Sequence, residues 1–146
     1  MRALISWLQD YVDIPETPEV LAERLTLAGM AVDGIEREGD EAVLELDITS
    51  NRPDAMNHIG LAREIAAIFD RPLRIPAIEI AEDAREASSA ASIQIDDPEG
   101  CPRYVGRVMT GVAVGPSPDW LRKRLELCGI RSINNIADLT NYVLLE

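Results

Sequence analysis

Basic residues are scarce in this chain of 146: 14 Lys and Arg stand against 26 Asp and Glu, a net charge of −12 at pH 7. Nucleic-acid affinity draws on Lys and Arg set against phosphates, so a chain this acidic repels a polyanion unless one face gathers its cations. The one dense cluster is Arg122-Lys123-Arg124, with Arg131 nearby. Such a run reads either as a solvated helix face or as a nucleic-acid contact. Histidine is rarer still, with His58 alone, which leaves no HExxH and no multi-histidine metal set. Cys101 and Cys128 are far apart and lack a CxxC spacing, which fits reduced thiols rather than a disulfide or zinc site. Long apolar runs are missing too. The first seven residues carry one positive charge and an apolar stretch too short for a signal peptide, and nothing approaches a membrane span, so cytoplasm is the expected location. No glycine-rich phosphate cradle occurs.

What remains is an ordinary globular composition, 47% hydrophobic, long enough for one domain or two small ones. Residues 46–69 organise it. Leu44-Glu45-Leu46-Asp47-Ile48 alternates apolar and acidic residues, the period of a half-buried strand. Thr49-Ser50-Asn51-Arg52-Pro53-Asp54 then stacks turn formers, and Pro53 cannot extend a ladder. Asp54 is placed to cap a helix in which Ile59, Ala62, Ala66 and Phe69 recur at helical spacing.

In chain order, residues 3–5 form a short strand and Ser6 caps a brief helix that presents Trp7, Leu8, Tyr11 and Val12. Thr17-Pro18-Glu19 is an N-cap, a proline at the first helical position and an acid in the first turn, and Gly29 closes that helix. Residues 30–35 and 42–48 read as two strands of a hairpin across a charged turn at 36–41. Residues 75–80 alternate as a strand. Residues 82–92 are small, polar and charged, and read as a linker. Beyond it, residues 93–95, 104–109 and 112–114 are strand-like. Ser117-Pro118-Asp119 opens a helix in the manner of Thr17-Pro18-Glu19, but the flanking sequences do not match, so no repeat is inferred. Ile133, Ile136 and Leu139 then recur at helical spacing through a run dense in amides and hydroxyls: Asn134, Asn135, Asp138, Thr140 and Asn141.

The fold class implied is α+β: a small N-terminal helix/strand domain over residues 1–81, the linker 82–92, and the opening of an α/β domain over residues 93–146. His58 falls one turn after Asp54 on the same face, so a local pair would favour the imidazolium and raise its pKa. Asn51, Arg52 and Asp54 read as a structural corner, with Asn51 bridging backbone groups and Arg52 forking onto Asp47 or Glu64. The amide-rich run suits either capping and turn chemistry or a helix whose polar face lines a pocket. No catalytic or metal-ligating residue is assigned.

Two motifs carry a resemblance. A strand, then Thr49-x-Asn51-Arg52-Pro53-Asp54, then a helix with Gly60-x-Ala62-Arg63-Glu64, resembles the first domain of the beta subunit of bacterial phenylalanyl-tRNA synthetase. Residues 131–142, RSINNIADLTNY, resemble the run opening that subunit's editing domain, of the B3/B4 tRNA-binding type. Many members insert an oligonucleotide-binding barrel between the two hairpin strands; only a few residues join them here, so tRNA contacts through that barrel are not carried over. The resemblance implies an aminoacyl-tRNA ligase that joins phenylalanine to tRNA with ATP and Mg2+ in an alpha2-beta2 heterotetramer. It implies that the alpha subunit and tRNA are partners of the whole complex, and that this segment binds neither ATP nor Mg2+. It assigns Thr140 and Asn141 to the pocket that clears mischarged tyrosyl-tRNA. An amide such as Asn141 offers both a donor and an acceptor to a phenol or carbonyl, and a site built to bond a hydroxyl rejects an analogue lacking it. The family's later H-A-F-D segment does not occur, so this stretch alone is expected to be inactive. Two alternatives stand beside this reading: a free-standing hydrolase of mischarged tRNA, and a non-enzymatic interaction module.

Overall fold

The computed structural model describes all 146 residues. They fall into two compact units: Met1–Pro76 together with Val114–Glu146, and Ala77–Ala113. The architecture is α+β, as the patterning indicates.

The first unit is built on a three-stranded antiparallel sheet in the order β1-β3-β2, with β1 at Arg2–Leu4, β2 at Ala31–Glu38 and β3 at Glu41–Asp47. Leu4 faces Val43 across one ladder and Ala31 faces Asp47 across the other. The expected charged turn contracts to Gly39-Asp40, and the strands run to Glu38 and Glu41. Gly39 sits at φ +58°, and a glycine first in a two-residue loop matches the twist of the strands it joins. Between Val32 and Gly34 the register shifts by one residue, a bulge that bends the outer strand.

Helix α1, Ile5–Leu8, follows β1 without a break. Its N-cap position is Leu4, with no side-chain cap, so Ser6 lies inside the helix and does not cap it. Helix α2, Pro18–Leu27, starts as its sequence dictates: the Thr17 hydroxyl accepts from Val20 N–H, Pro18 takes the first helical position, and Gly29 leaves at φ +95°. Leu21 and Leu25 bury one stripe of α2 in the core. Helix α3, His58–Ile68, buries Leu61, Ala62 and Ile65. Its cap is Asn57, whose side chain accepts from Gly60 N–H at 2.7 Å. Asp54 is not the cap. Residues Pro53–Ala55 spend a short 3-10 turn before the helix begins, which carries Asp54 past the capping position.

The core gathers Trp7, Leu8, Tyr11, Leu21, Leu25, Leu44, Leu61 and Ile65, all essentially inaccessible. Each contributes roughly 1.5–3 kcal/mol of burial. Helix α4, Asp119–Leu127, buries Leu121, Leu125 and Leu127 and is capped by Gly129 at φ +85°. Ser117 does not act as Thr17 does. The N-cap position is Pro118, without a side-chain bond, and the Ser117 hydroxyl is spent elsewhere. Helix α5, Asn135–Leu145, follows the cap Asn134.

The strand-like readings at 75–80, 93–95, 104–109 and 112–114 are not strands in the structure: these residues join no ladder. Ile75, Ile78, Ile93, Tyr104, Met109 and Val114 stay exposed there. Alternation marks a segment able to form a strand, but a strand exists only where a neighbour takes up its backbone N–H and C=O groups. In the second unit, Ala77–Ala113, one short 3-10 turn at Ala87–Ser89 is the regular element, and Arg107 pairs with Glu82 at 3.1 Å.

Candidate functional site

The corner after β3 is held by one guanidinium. Arg52 reaches Asp54 at 2.9 Å and Glu64 at 2.7 Å, so it ties the 3-10 turn to the middle of α3. Of the two carboxylates open to it from the sequence, Glu64 is engaged and Asp47 is not. The Arg52 guanidinium beside Asp54 holds that carboxyl below its ordinary range. Asn51 is exposed, and its amide does not bridge the corner's backbone. Gly60 is required at the start of α3: a Cβ there would overlap the Asp54 carbonyl.

His58 corrects the expectation of a charged surface pair. Its ring is fully buried beneath Trp7, stacked with centroids 3.9 Å apart. Nε2 accepts from Leu4 N–H at 3.2 Å, and Nδ1 lies 2.7 Å from the Leu145 carbonyl, which only an Nδ1–H can satisfy. The ring is therefore neutral. Burial drives its pKa down to about 4, with the Arg124 charge adding in the same direction. Asp54 plays no part, because the helix starts after it and turns His58 inward. Cys128, also buried, has its thiol pushed up to about 11 by desolvation, which makes it inert as a nucleophile.

The amide-rich run folds into the start of α5. The Asn134 carbonyl oxygen of the side chain accepts from Ile136 and Ala137 N–H, each at 3.0 Å. Asn135 N–H donates to the Gly115 carbonyl at 2.9 Å, and its side-chain oxygen accepts from Gly115 N–H at 3.1 Å. Asp138 is fully buried. One of its oxygens accepts from both Ser117 and Ser132 hydroxyls at 2.5 Å, and the other accepts from Ile133 N–H at 2.8 Å. The Ser117 and Ser132 hydroxyls hold its carboxyl below the ordinary range. Asp138 is the residue whose weight the sequence concealed; the signal was an acid at the position opposite the apolar repeat of Ile133, Ile136 and Leu139.

Thr140 is exposed, and its hydroxyl donates back to the Ala137 carbonyl at 2.7 Å. Asn141 is half-buried. Leu139 and Val143 of the same helix are exposed as well, while Tyr142 and Leu145 pack against the core and Asp138 is buried. Two concavities of about 470 and 720 Å3 lie in the second unit, lined around Ser92–Tyr104 and around Ile80–Thr110; neither includes Thr140 or Asn141.

The cationic run of α4 is neutralised. Arg122 pairs with Asp119 at 2.7 Å, Lys123 with Glu41 at 3.1 Å, and Arg124 with Asp10 at 2.7 Å while its guanidinium lies over Trp7. That is the solvated-face reading rather than a cation patch awaiting phosphate. No three His, Cys, Asp or Glu side chains converge as a metal site would need. Asp54 and Glu64 are both taken up by Arg52, so that pair does not fit Mg2+. No helix is long and apolar enough to cross a membrane.

Residues 100–146, which hold α4 and α5, match the family model described as the B3/4 domain. The chain is 44% identical over 140 residues to the phenylalanine–tRNA ligase beta subunit of Rhodopirellula baltica, covering 96% of this chain and 21% of that protein. It is 51% identical over 107 residues to the same subunit of Anaeromyxobacter dehalogenans, covering 73% of this chain and 13% of the relative. A third relative, from Nitratidesulfovibrio vulgaris, is 44% identical over 127 residues, 87% of this chain and 16% of its own length. Together with the fold, these matches place the chain in a class of tRNA-ligase subunit that carries a B3/4 domain. Within that class it belongs to the phenylalanine–tRNA ligase beta-subunit family, and it spans about a fifth or less of the length of the relatives it matches.

Proposed function

We propose that this chain serves phenylalanine–tRNA ligase as part of its beta subunit, in a cytoplasmic alpha2-beta2 enzyme that uses ATP and Mg2+ to attach phenylalanine to tRNA. The observation that carries this reading is the 44% identity to one relative sustained over 140 residues, 96% of the chain. Activation and transfer then belong to other parts of the enzyme. On this reading the chain by itself is inactive.

Two roles fall to this segment. Residues 1–81 supply a scaffold for assembly with the alpha subunit, and residues 93–146, after the linker 82–92, begin the editing domain. Thr140 and Asn141 contact the wrongly attached amino acid, tyrosine, on tRNA. Thr140 is exposed and Asn141 half-buried, about 100° apart around α5. An amide and a hydroxyl beside each other suit a phenol and an ester carbonyl.

The test is a graft. The present chain replaces the matched stretch of the Rhodopirellula baltica subunit, and the chimera is co-expressed with its alpha subunit. Phenylalanylation of tRNA and hydrolysis of tyrosyl-tRNA are the expected results. A correctly assembled tetramer that forms no phenylalanyl-tRNA would overturn the assignment to the ligase.

A further inference from the structure

Asp138 is fully buried and spends both oxygens on partners outside its own helix turn: Ser117, Ser132 and Ile133 N–H. A carboxylate taken out of water survives there because these donors, with Asn134 N–H, replace its hydration. All of them come from the segments that lead into α4 and α5. The side chain therefore fixes not only the position of α5 but its rotation about its own axis. Thr140 lies two residues further on, about 200° around the helix. With Asp138 locked inward, Thr140 is forced outward, and Asn141, another 100° on, is set at the boundary between core and solvent. The observed exposures follow that order: Asp138 buried, Asn141 half-buried, Thr140 exposed.

The other end of α5 is pinned independently. The Leu145 carbonyl bonds to the His58 ring, Ile59 N–H donates to the Glu146 carbonyl at 2.7 Å, and Tyr11 Oη donates to a Glu146 carboxylate oxygen at 2.6 Å. These contacts resist translation of the last turn. Tyr142, one turn after Asp138, stacks on Trp7 at 4.6 Å and holds the same face, while in the first turn the Asp138 cluster acts with the cap Asn134 and with Asn135.

We infer that Asp138 is a positioning residue, which aims Thr140 and Asn141 at the mischarged amino acid by locking the rotation of α5 through Ser117 and Ser132. The inference rests on the editing role given to Thr140 and Asn141 above. Asp138 itself touches no substrate. Its contribution is to selectivity, because a rotated helix would bring an amide and hydroxyl to the wrong place on the phenol while leaving the ester within reach of whatever hydrolyses it.

The experiment uses the grafted tetramer and measures hydrolysis of tyrosyl-tRNA and phenylalanyl-tRNA side by side. Asp138→Asn keeps the shape but converts one acceptor into a donor facing two serines. Ser117→Ala with Ser132→Ala removes the donors and leaves the acid in place, which guards against misfolding of the first variant. Both are expected to lower the tyrosyl-over-phenylalanyl ratio of kcat/KM at least fivefold. A proportional fall in both rates, with the ratio unchanged, is the mark of general loosening and overturns the positioning role, as does an unchanged ratio at full activity. Asn141→Ala serves as the reference. If it leaves tyrosyl-tRNA hydrolysis intact, the editing assignment itself fails. If it removes selectivity while both serine and aspartate variants keep it, the assignment stands and the role of Asp138 fails.

Discussion

Nδ1 of His58 and the carbonyl oxygen of Leu145 lie 2.7 Å apart, although 87 residues separate them in the chain. Because Nε2 of the same ring accepts from Leu4 N–H, the imidazole joins β1, α3 and α5 through two bonds of opposite sense. A second proton would turn Nε2 into a donor facing a donor, beneath Trp7 and near the Arg124 charge. The groups facing the ring oppose one another, with the Leu145 carbonyl and Asp10 raising its pKa and Arg124 lowering it, but burial outweighs them.

The first prediction follows from that ring. Its pKa is about 4 folded against 6.5 for the free side chain. The unfolded chain therefore binds the extra proton between these values, and the native state does not. The contribution to stability is complete above pH 6.5 and is lost as pH falls toward 4, below which both states are protonated. The full loss is about 3 kcal/mol, from roughly 1.4 kcal/mol for each pKa unit. Urea denaturation at pH 7 and pH 4.5 checks it, with His58→Gln expected to flatten the part of the dependence that lies between pH 4 and 6.5. As His58 is the sole histidine, an NMR titration reads its pKa without assignment, and a value above 6.5 would contradict the buried neutral ring.

The second prediction separates two candidate caps. Asn57, not Asp54, accepts the free N–H of Gly60. Asn57→Ala should cost about 1 kcal/mol of stability. Asp54→Ala removes an exposed partner of Arg52, which keeps Glu64, and should shift the thermal midpoint less. The reverse order of the two midpoints would restore Asp54 as the cap.

A third concerns Gly60. Alanine is normally the better helix former by up to about 1 kcal/mol. Here the added Cβ would collide with the Asp54 backbone carbonyl, which the 3-10 turn holds in place. Gly60→Ala should therefore lower the thermal midpoint, and a raised midpoint would show that the corner yields freely.

These variants also show where sequence and structure part. Thr17-Pro18 was legible because a cap acts over three residues and needs nothing distant. The hairpin and the amphipathic α3 were legible from their periods, and Arg52 with Glu64 from chemistry and spacing. His58 was not, because whether a ring faces out beside Asp54 or in beneath Trp7 depends on a three-residue difference in where α3 begins. The strand-like stretches failed for another reason: alternation in residues 104–109 records what a segment could pair with, and pairing needs a second backbone. The role of Asp138 depends on two serines 6 and 21 residues away, a separation no local pattern reports.

The two tryptophans give the last prediction. Trp7 is wholly buried, stacked on His58 at 3.9 Å and on Tyr142 at 4.6 Å, with its Nε1–H donating to Tyr11 Oη at 3.3 Å. Trp120 is about half exposed and meets Tyr142 edge-on at 5.5 Å. Removing the first indole leaves a cavity between α1, α3 and α5 and frees the Tyr11 hydroxyl, so Trp7→Ala should cost about 3–5 kcal/mol. Removing the second uncovers little, and Trp120→Ala should stay within about 0.5 kcal/mol. Urea titrations followed by circular dichroism measure both without relying on either fluorophore. Comparable losses for the two variants would mean that the Trp7 stack does not hold α5 against the sheet.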